Sequence, residues 1–98
     1  MFGLFKKTDF KALLDNGAIV IDVRSKSEYD SGALPGSENI PLPTISSKLS
    51  QIKKLDAPVI CVCASGMRSG AAKGQLKAAG VEAYNGGAWT KMIKYMEE

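Results

Sequence analysis

The stretch VICVCASGMRSGAAKGQL, Val59 to Leu76, decides how this chain folds. It opens as an apolar run of the kind found in strands covered on both faces. Three small residues, Ala64, Ser65 and Gly66, break the run as a tight loop does, and an alanine-rich, helix-favouring segment follows Met67 and Arg68. Such a strand–loop–helix unit leaves Cys63 at the mouth of a turn, at the carboxyl end of the strand.

Working outward, Ala18 to Val23 (AIVIDV) is a second continuous apolar run with the same strand signature. Before it, Thr8 caps a short helix whose Phe10, Leu13 and Leu14 share one face, with Asn16 and Gly17 as the stop. After it, Ser25 with Glu28 three residues on forms a capping box opening a helix that ends near Gly32. Pro35, Pro41 and Pro43 make the next segment loop-like, with room for one short strand near residues 38–40. Ile45, Leu49, Ile52 and Leu55 form a helical stripe over residues 44–55, and Pro58 marks entry to the Val59 strand.

Beyond the cysteine loop, the helix from Arg68 closes at Gly80, with Gly70 and Gly74 read as positions where it approaches the sheet closely. VEAY, Val81 to Tyr84, is then a strand and NGG a turn. A final amphipathic helix from Ala88 buries Trp89, Met92, Ile93 and Met96. Strands alternating with helices predict an α/β fold with a mainly parallel sheet and helices on both faces. Ligands of such sheets gather at the carboxyl ends of the strands, where Cys63 and the segment Asp22 to Arg24 both lie.

The 98 residues are read as one domain, 1–98, with 45% hydrophobic residues for its core. A net charge of +3, spread over several segments without interleaved aromatics, excludes a nucleic-acid-binding reading. No stretch reaches the roughly 18 apolar residues of a membrane helix, and the start MFGLFKK is a poor signal peptide. Cys61 and Cys63 are the only cysteines. Two residues apart on a strand, they share a face in a geometry unsuited to a structural disulfide, which fits a reducing, cytoplasmic setting.

The chain contains no histidine, which removes Cys-His and Ser-His catalytic pairs. An ordinary thiol, with a pKa of about 8.5, is mostly protonated at neutral pH, yet the thiolate is the nucleophile. The devices left are backbone amides, a helix amino terminus carrying roughly half a positive charge, and a cation. The loop Ala64, Ser65, Gly66, Met67, Arg68, Ser69 offers all three, predicting a depressed pKa for Cys63. Cys61, inside the strand, reads as core, with a resolving thiol for oxidised Cys63 as the alternative. Asp22 and Arg24 read as a structural pair supporting the loops, and Glu28 as a cap.

IDVRSKSEYDSGALPGSENIPL (Ile21 to Leu42), CASGMRSGAA (Cys63 to Ala72) and NGGAWTKM (Asn85 to Met92), in that order, resemble the single-domain rhodanese family of sulfurtransferases. Asp22, Arg24, Glu28 and Tyr29 match its D-V-R-x-x-x-E-[YF] segment. Gly32, Pro35, Gly36, Asn39, Ile40 and Pro41 match G-H-I-P-G-A-x-N-I-P. Cys63, Gly66, Arg68 and Ser69 match C-x-x-G-x-R-S, and Gly86, Gly87 and Trp89 match the terminal G-G-x-x-x-W with a shorter spacer. The resemblance implies a central parallel sheet of four to five strands and no metal or organic cofactor. It also implies that Cys63 accepts sulfane sulfur from a donor such as thiosulfate or a persulfide, that the amides of residues 64–69 hold the persulfide, and that a thiol or protein acceptor then removes the sulfur.

Cysteine phosphatases on this fold have one more residue between cysteine and arginine than the four, Ala64 to Met67, found here, so a phosphatase or arsenate reductase is disfavoured. Ala33 replaces the family's usual histidine at a position read as structural. Ala64 stands where many thiosulfate-using members carry a cation, a loss of about 1 kcal/mol of attraction for a dianion at a partly exposed site, which favours a persulfide donor. The remaining alternatives are a partner-binding rhodanese module and a redox pair formed by Cys61 and Cys63.

Overall fold

Two apolar runs form the middle of the molecule. β1 (Ile19–Asp22) and β3 (Val59–Cys63) pair in parallel, with Ile19 opposite Val59 and Asp22 opposite Val62, and every residue of β3 is buried. The structure is a computed structural model that describes residues 7–96. The reading of the first six residues as a poor leader, and the last turn of the predicted terminal helix at residues 97–98, lie outside the described residues. Along the chain the elements are α1 (Phe10–Asp15), β1, α2 (Lys26–Asp30), β2 (Glu38–Asn39), a 3-10 turn (Leu42–Thr44), α3 (Ile45–Lys54), β3, α4 (Met67–Ala78), β4 (Ala83–Ala88), a second 3-10 turn (Trp89–Met92) and α5 (Ile93–Met96).

The four strands form one parallel sheet in the order β2-β1-β3-β4. Alternation along the strands splits their side chains between two apolar clusters. Ile21, Val23, Val59, Cys61 and Cys63 pack on one face with Ile45 and Ile52 of α3 and Ala72 and Leu76 of α4. Val20, Ile60 and Val62 pack on the other with Met92, against which Phe10, Leu13, Trp89 and Tyr95 also lie. Helices therefore cover both faces, as predicted. Fully burying one such aliphatic side chain contributes roughly 1.5–3 kcal/mol, so both layers are needed to hold β1 and β3. No helix among the described residues is long and apolar enough to cross a membrane.

Several local expectations are corrected. Asp9, not Thr8, caps α1, its carboxylate accepting the Ala12 amide at 3.0 Å. The stripe on α3 ends at Ile52, because Leu55 lies past the last helical residue and is exposed. The terminal helix is a 3-10 turn followed by one short α-helical turn, which turns Ile93 outward and brings Tyr95 to the core in its place.

The largest correction concerns the strand expected over Val81 to Tyr84 with a turn after it: β4 begins only at Ala83, and residues 85–87 extend it instead of turning. Asn85 pairs with Cys61 and Gly87 with Val62, leaving Gly86 as the extra residue of a bulge. Gly87 has a φ of +77°, in the left-handed region, and a Cβ on Gly86 would stand 2.8 Å from Ile60 Cγ2 and 3.0 Å from Val62 Cγ1. The two glycines thus permit both the bulge and its close approach to β3.

Gly86→Ala is expected to destabilise by about 1–3 kcal/mol, because the methyl meets side chains of the central strand at less than contact distance. Gly74, expected to mark a close approach of helix and sheet, is instead exposed in α4 with nothing within 4 Å of an added methyl. Gly74→Ala is therefore expected to stabilise by roughly 0.5–1 kcal/mol. Urea unfolding midpoints measure both, and equal midpoints for the two variants would contradict this account of the bulge.

Candidate active site

β3 ends at Cys63, and the chain reverses through Ala64, Ser65 and Gly66 into α4. Gly66 is the cap residue of α4, with a φ of 109° that side-chain-bearing residues rarely adopt. This conformation turns its amide back toward the strand end. The Gly66 N–H donates to Cys63 Sγ at 2.9 Å and the Ser69 N–H at 3.4 Å, while the Ser69 hydroxyl lies 3.3 Å from the sulfur. Two amide donors and one hydroxyl thus form a cradle around one sulfur atom.

Cys63 has a relative exposure of 0%, although Ala64 and Ser65 beside it are exposed. At the mouth of a turn a thiol would be open to solvent. The loop instead folds back over it, because that is how its amides reach the sulfur. Burial alone pushes the thiol up, but the Ser69 hydroxyl and the amides of Ser69, Gly66 and Ser65 together outweigh it and hold the pKa at about 7. Cys61 shares the cluster without such donors, and burial, followed by the nearby Cys63, pushes its thiol up to about 12. Both cysteines are free.

Arg68, expected as the cation that acidifies Cys63, is engaged by Glu28. Its guanidinium makes a two-pronged pair with Glu28, Nη1 to Oε1 at 2.7 Å and Nη2 to Oε2 at 3.0 Å. Glu28 simultaneously completes the capping box of α2, accepting the Ser25 N–H at 3.0 Å while the Ser25 hydroxyl oxygen accepts the Glu28 N–H. The hydrogen bond to Glu28 is the main cause that raises the Arg68 pKa, with Cys63 a smaller one. The pair ties the helix after the cysteine loop to the helix after β1. The Met67 side chain points away from the sulfur and is 82% exposed, leaving its backbone to start the helix.

Asp22 and Arg24 form a buried pair. The Arg24 amide donates to Asp22 Oδ1 at 3.0 Å, and its guanidinium Nη2 reaches Asp22 Oδ2 at 2.8 Å and the Gly32 carbonyl at 2.7 Å. The guanidinium also stacks over Trp89, 4.9 Å from the ring centroid. Asp22 lies in register with Val62, on the face opposite Cys63. The pair therefore secures the loop after α2 and does not line the sulfur cradle. Tyr29 helps from the same region, donating its hydroxyl proton to the Ser37 carbonyl at 2.5 Å.

Asn85 is the site residue that sequence reading missed. Assigned to a turn, it instead lies on the bulged β4 in register with Cys61, on the Cys63 face. Its Nδ2 donates to the Gly66 carbonyl at 3.0 Å, and its Oδ1 accepts the Ser69 hydroxyl at 2.7 Å. Gly70 makes room for it, since a Cβ there would lie 3.2 Å from Asn85 Nδ2, whereas Gly74 has no neighbour at that range. A polar residue within a strand on the cysteine's face was the available signal, but it depends on pairing β4 correctly.

The Glu28 carboxyl is held at about 2, below its ordinary 4.5, first by the hydrogen bond from Arg68 and then by the Ser25 amide. A carboxyl depressed on folding contributes stability above its unfolded value that is lost as pH falls toward its folded one. Wild type is therefore expected to exceed Glu28→Gln in stability at neutral pH, with the gap closing between about pH 4.5 and about 2. Denaturant unfolding across that range checks it, and a pH-independent gap would be the wrong result.

The Rhodanese-like domain family model matches residues 6–91. The thiosulfate sulfurtransferase GlpE of Pseudoalteromonas translucida is 38% identical over 71 residues, which are 71% of this chain and 67% of the relative. The YqhL protein of Bacillus subtilis is 38% identical over 69 residues, or 69% of this chain, and the chain spans about half, 54%, of its length. Among solved structures, the human single-domain sulfurtransferase TSTD1 superposes with a TM-score of 0.68 at 26% identity, over 87% of this chain and 89% of the other. With nearly the whole described fold inside the matched span, this chain belongs to the rhodanese-like domain family.

Proposed function

We propose that the chain is a sulfurtransferase that carries sulfane sulfur on Cys63. The observation that carries this reading is the cradle itself: a sulfur at a strand end that accepts backbone N–H groups from its own loop, with its pKa lowered to about 7 in the absence of any histidine. Relatives named thiosulfate sulfurtransferases support it.

In the first step the Cys63 thiolate attacks the outer sulfur of the donor. The donor's S–S bond breaks, its electron pair leaves with sulfite or with a thiolate, and a Cys63 persulfide remains. In the second step an acceptor nucleophile, a thiol or cyanide, attacks the terminal sulfur and Cys63 departs as thiolate. This is covalent two-step catalysis. Because Cys63 is covered, the Ala64–Gly66 loop has to shift for the donor to approach, and its amides then face the persulfide.

The donor favoured by the charges is a persulfide. A thiosulfate dianion approaching the loop meets Ala64, which has no charge, and Arg68, already paired with Glu28. A persulfide has less charge to neutralise. The loop of four residues between Cys63 and Arg68 fits one sulfur atom better than a phosphoryl group. A redox pair is disfavoured because Cys61 is buried and stays protonated far above neutrality.

Incubation with thiosulfate and, separately, with a small-molecule persulfide, followed by intact-mass measurement, tests the proposal. Gain of one sulfur atom is expected, more complete with the persulfide, abolished by Cys63→Ser and retained by Cys61→Ser. Alkylation of Cys63 is expected to rise with pH through a midpoint near 7. An unchanged mass with every donor, or a midpoint at or above the roughly 8.5 of an ordinary thiol, would overturn the assignment.

A further inference from the structure

The Ser69 hydroxyl has one proton and two neighbours that compete for it. On one side is Cys63 Sγ at 3.3 Å, on the other Asn85 Oδ1 at 2.7 Å. The Asn85 amide cannot be turned round. Its Oδ1 also accepts the Gly87 N–H at 2.9 Å and its Nδ2 donates to the Gly66 carbonyl at 3.0 Å, and the reversed amide would lose both bonds. Oδ1 is an acceptor only, so in this arrangement the hydroxyl donates to it. Ser69 then presents a lone pair to Cys63.

That orientation suits the thiol, whose S–H can donate to Ser69 Oγ and continue the chain to Asn85. It does not suit the thiolate, which needs the hydroxyl proton turned toward the sulfur and away from Asn85. We propose that Asn85 is a positioning residue that sets the acidity of Cys63 by holding the proton of Ser69. The inference deepens the reading of Cys63 as a nucleophile and rests on it for its consequence in turnover. The ionisation effect itself requires only the hydrogen bonds.

The device belongs to this chain's own bulge. Gly86 is the extra residue that lets Asn85 face the loop while Gly87 returns an N–H to its carbonyl oxygen, and Gly70 leaves space for the amide. Other ionisable groups around Cys63 do not duplicate it. Cys61 on β3 is held protonated, Arg68 of α4 is paired with Glu28 of α2, Asp22 of β1 is paired with Arg24, and Lys73 of α4 is a cation near Cys61. β4 contributes only Tyr84, in register with Ile60 on the opposite face.

Asn85 has a second, opposite influence, since its Nδ2 holds the carbonyl of Gly66, the residue whose N–H supports the thiolate. A double-mutant cycle separates the two. The ultraviolet absorbance of the Cys63 thiolate is titrated in wild type, Asn85→Ala, Ser69→Ala and the double variant, without any sulfur donor, after circular dichroism has checked each fold. Cys61, held at about 12, stays silent over the range. The expected result is that Asn85→Ala changes the Cys63 ionisation constant upward by at least about threefold more when Ser69 is present than when it is alanine.

Equal changes in the two backgrounds, or a more acidic shift in the Ser69→Ala background, would overturn the proposal. Should Asn85→Ala not fold, Asn85→Asp keeps and strengthens the acceptor. It is expected to lower the ionisation constant more with Ser69 present than without it, and an equal decrease in both backgrounds would again be decisive against the idea. Because no donor is used, failure of sulfur loading leaves this result standing, and failure of the cycle leaves sulfur loading untouched.

Discussion

An anion placed where water does not reach costs several kcal/mol unless donors meet it. Cys63, at the end of a fully buried strand, is such a place, and the donors come from its own loop: the Gly66 and Ser69 amides, with the Ser69 hydroxyl beside them. Holding those groups within reach of one sulfur is the constraint around which the neighbouring structure is arranged. Gly66 supplies the backbone conformation, α4 supplies the next turn with Ser69, and β3 supplies the fixed point from which both are measured.

Two further layers keep the loop in place. From one side, Glu28 links the first turn of α4 to α2 through Arg68. From the other, Asn85 links the Gly66 carbonyl and the Ser69 hydroxyl to the end of β4. Behind them the Asp22–Arg24 pair, with Trp89 stacked on the guanidinium, secures the segment after α2 from the opposite face of the sheet. A half-exposed ion pair such as Arg68–Glu28 adds little to global stability. Its effect is local, tying the first turn of α4 to α2.

The parts of this arrangement that could be read along the chain are those with a local cause. The apolar runs at Ala18 to Val23 and Val59 to Cys63 appear as strands because continuous β-branched sequence has few other uses in a short chain. The Ser25–Glu28 capping box forms as its spacing requires, and the placing of Cys61 and Cys63 on one face follows from strand alternation. Asn85-Gly86-Gly87 failed as a turn because backbone freedom, which glycine provides, serves a bulge as readily as a reversal. Leu55 failed as core because it lies past the end of α3, and Ile93 because the 3-10 turn before it changes the helical period and turns it outward.

By itself the sequence determined the parallel α/β order, the strand-end position of Cys63, the donor-rich loop after it and the absence of histidine, since each depends on residues adjacent in the chain. Tertiary structure alone decided that the thiol is covered, that Arg68 is occupied by Glu28 and that Asn85 competes for the Ser69 proton. Those facts depend on which distant segments are brought together, and only the register of the strands and the packing of the helices sets that.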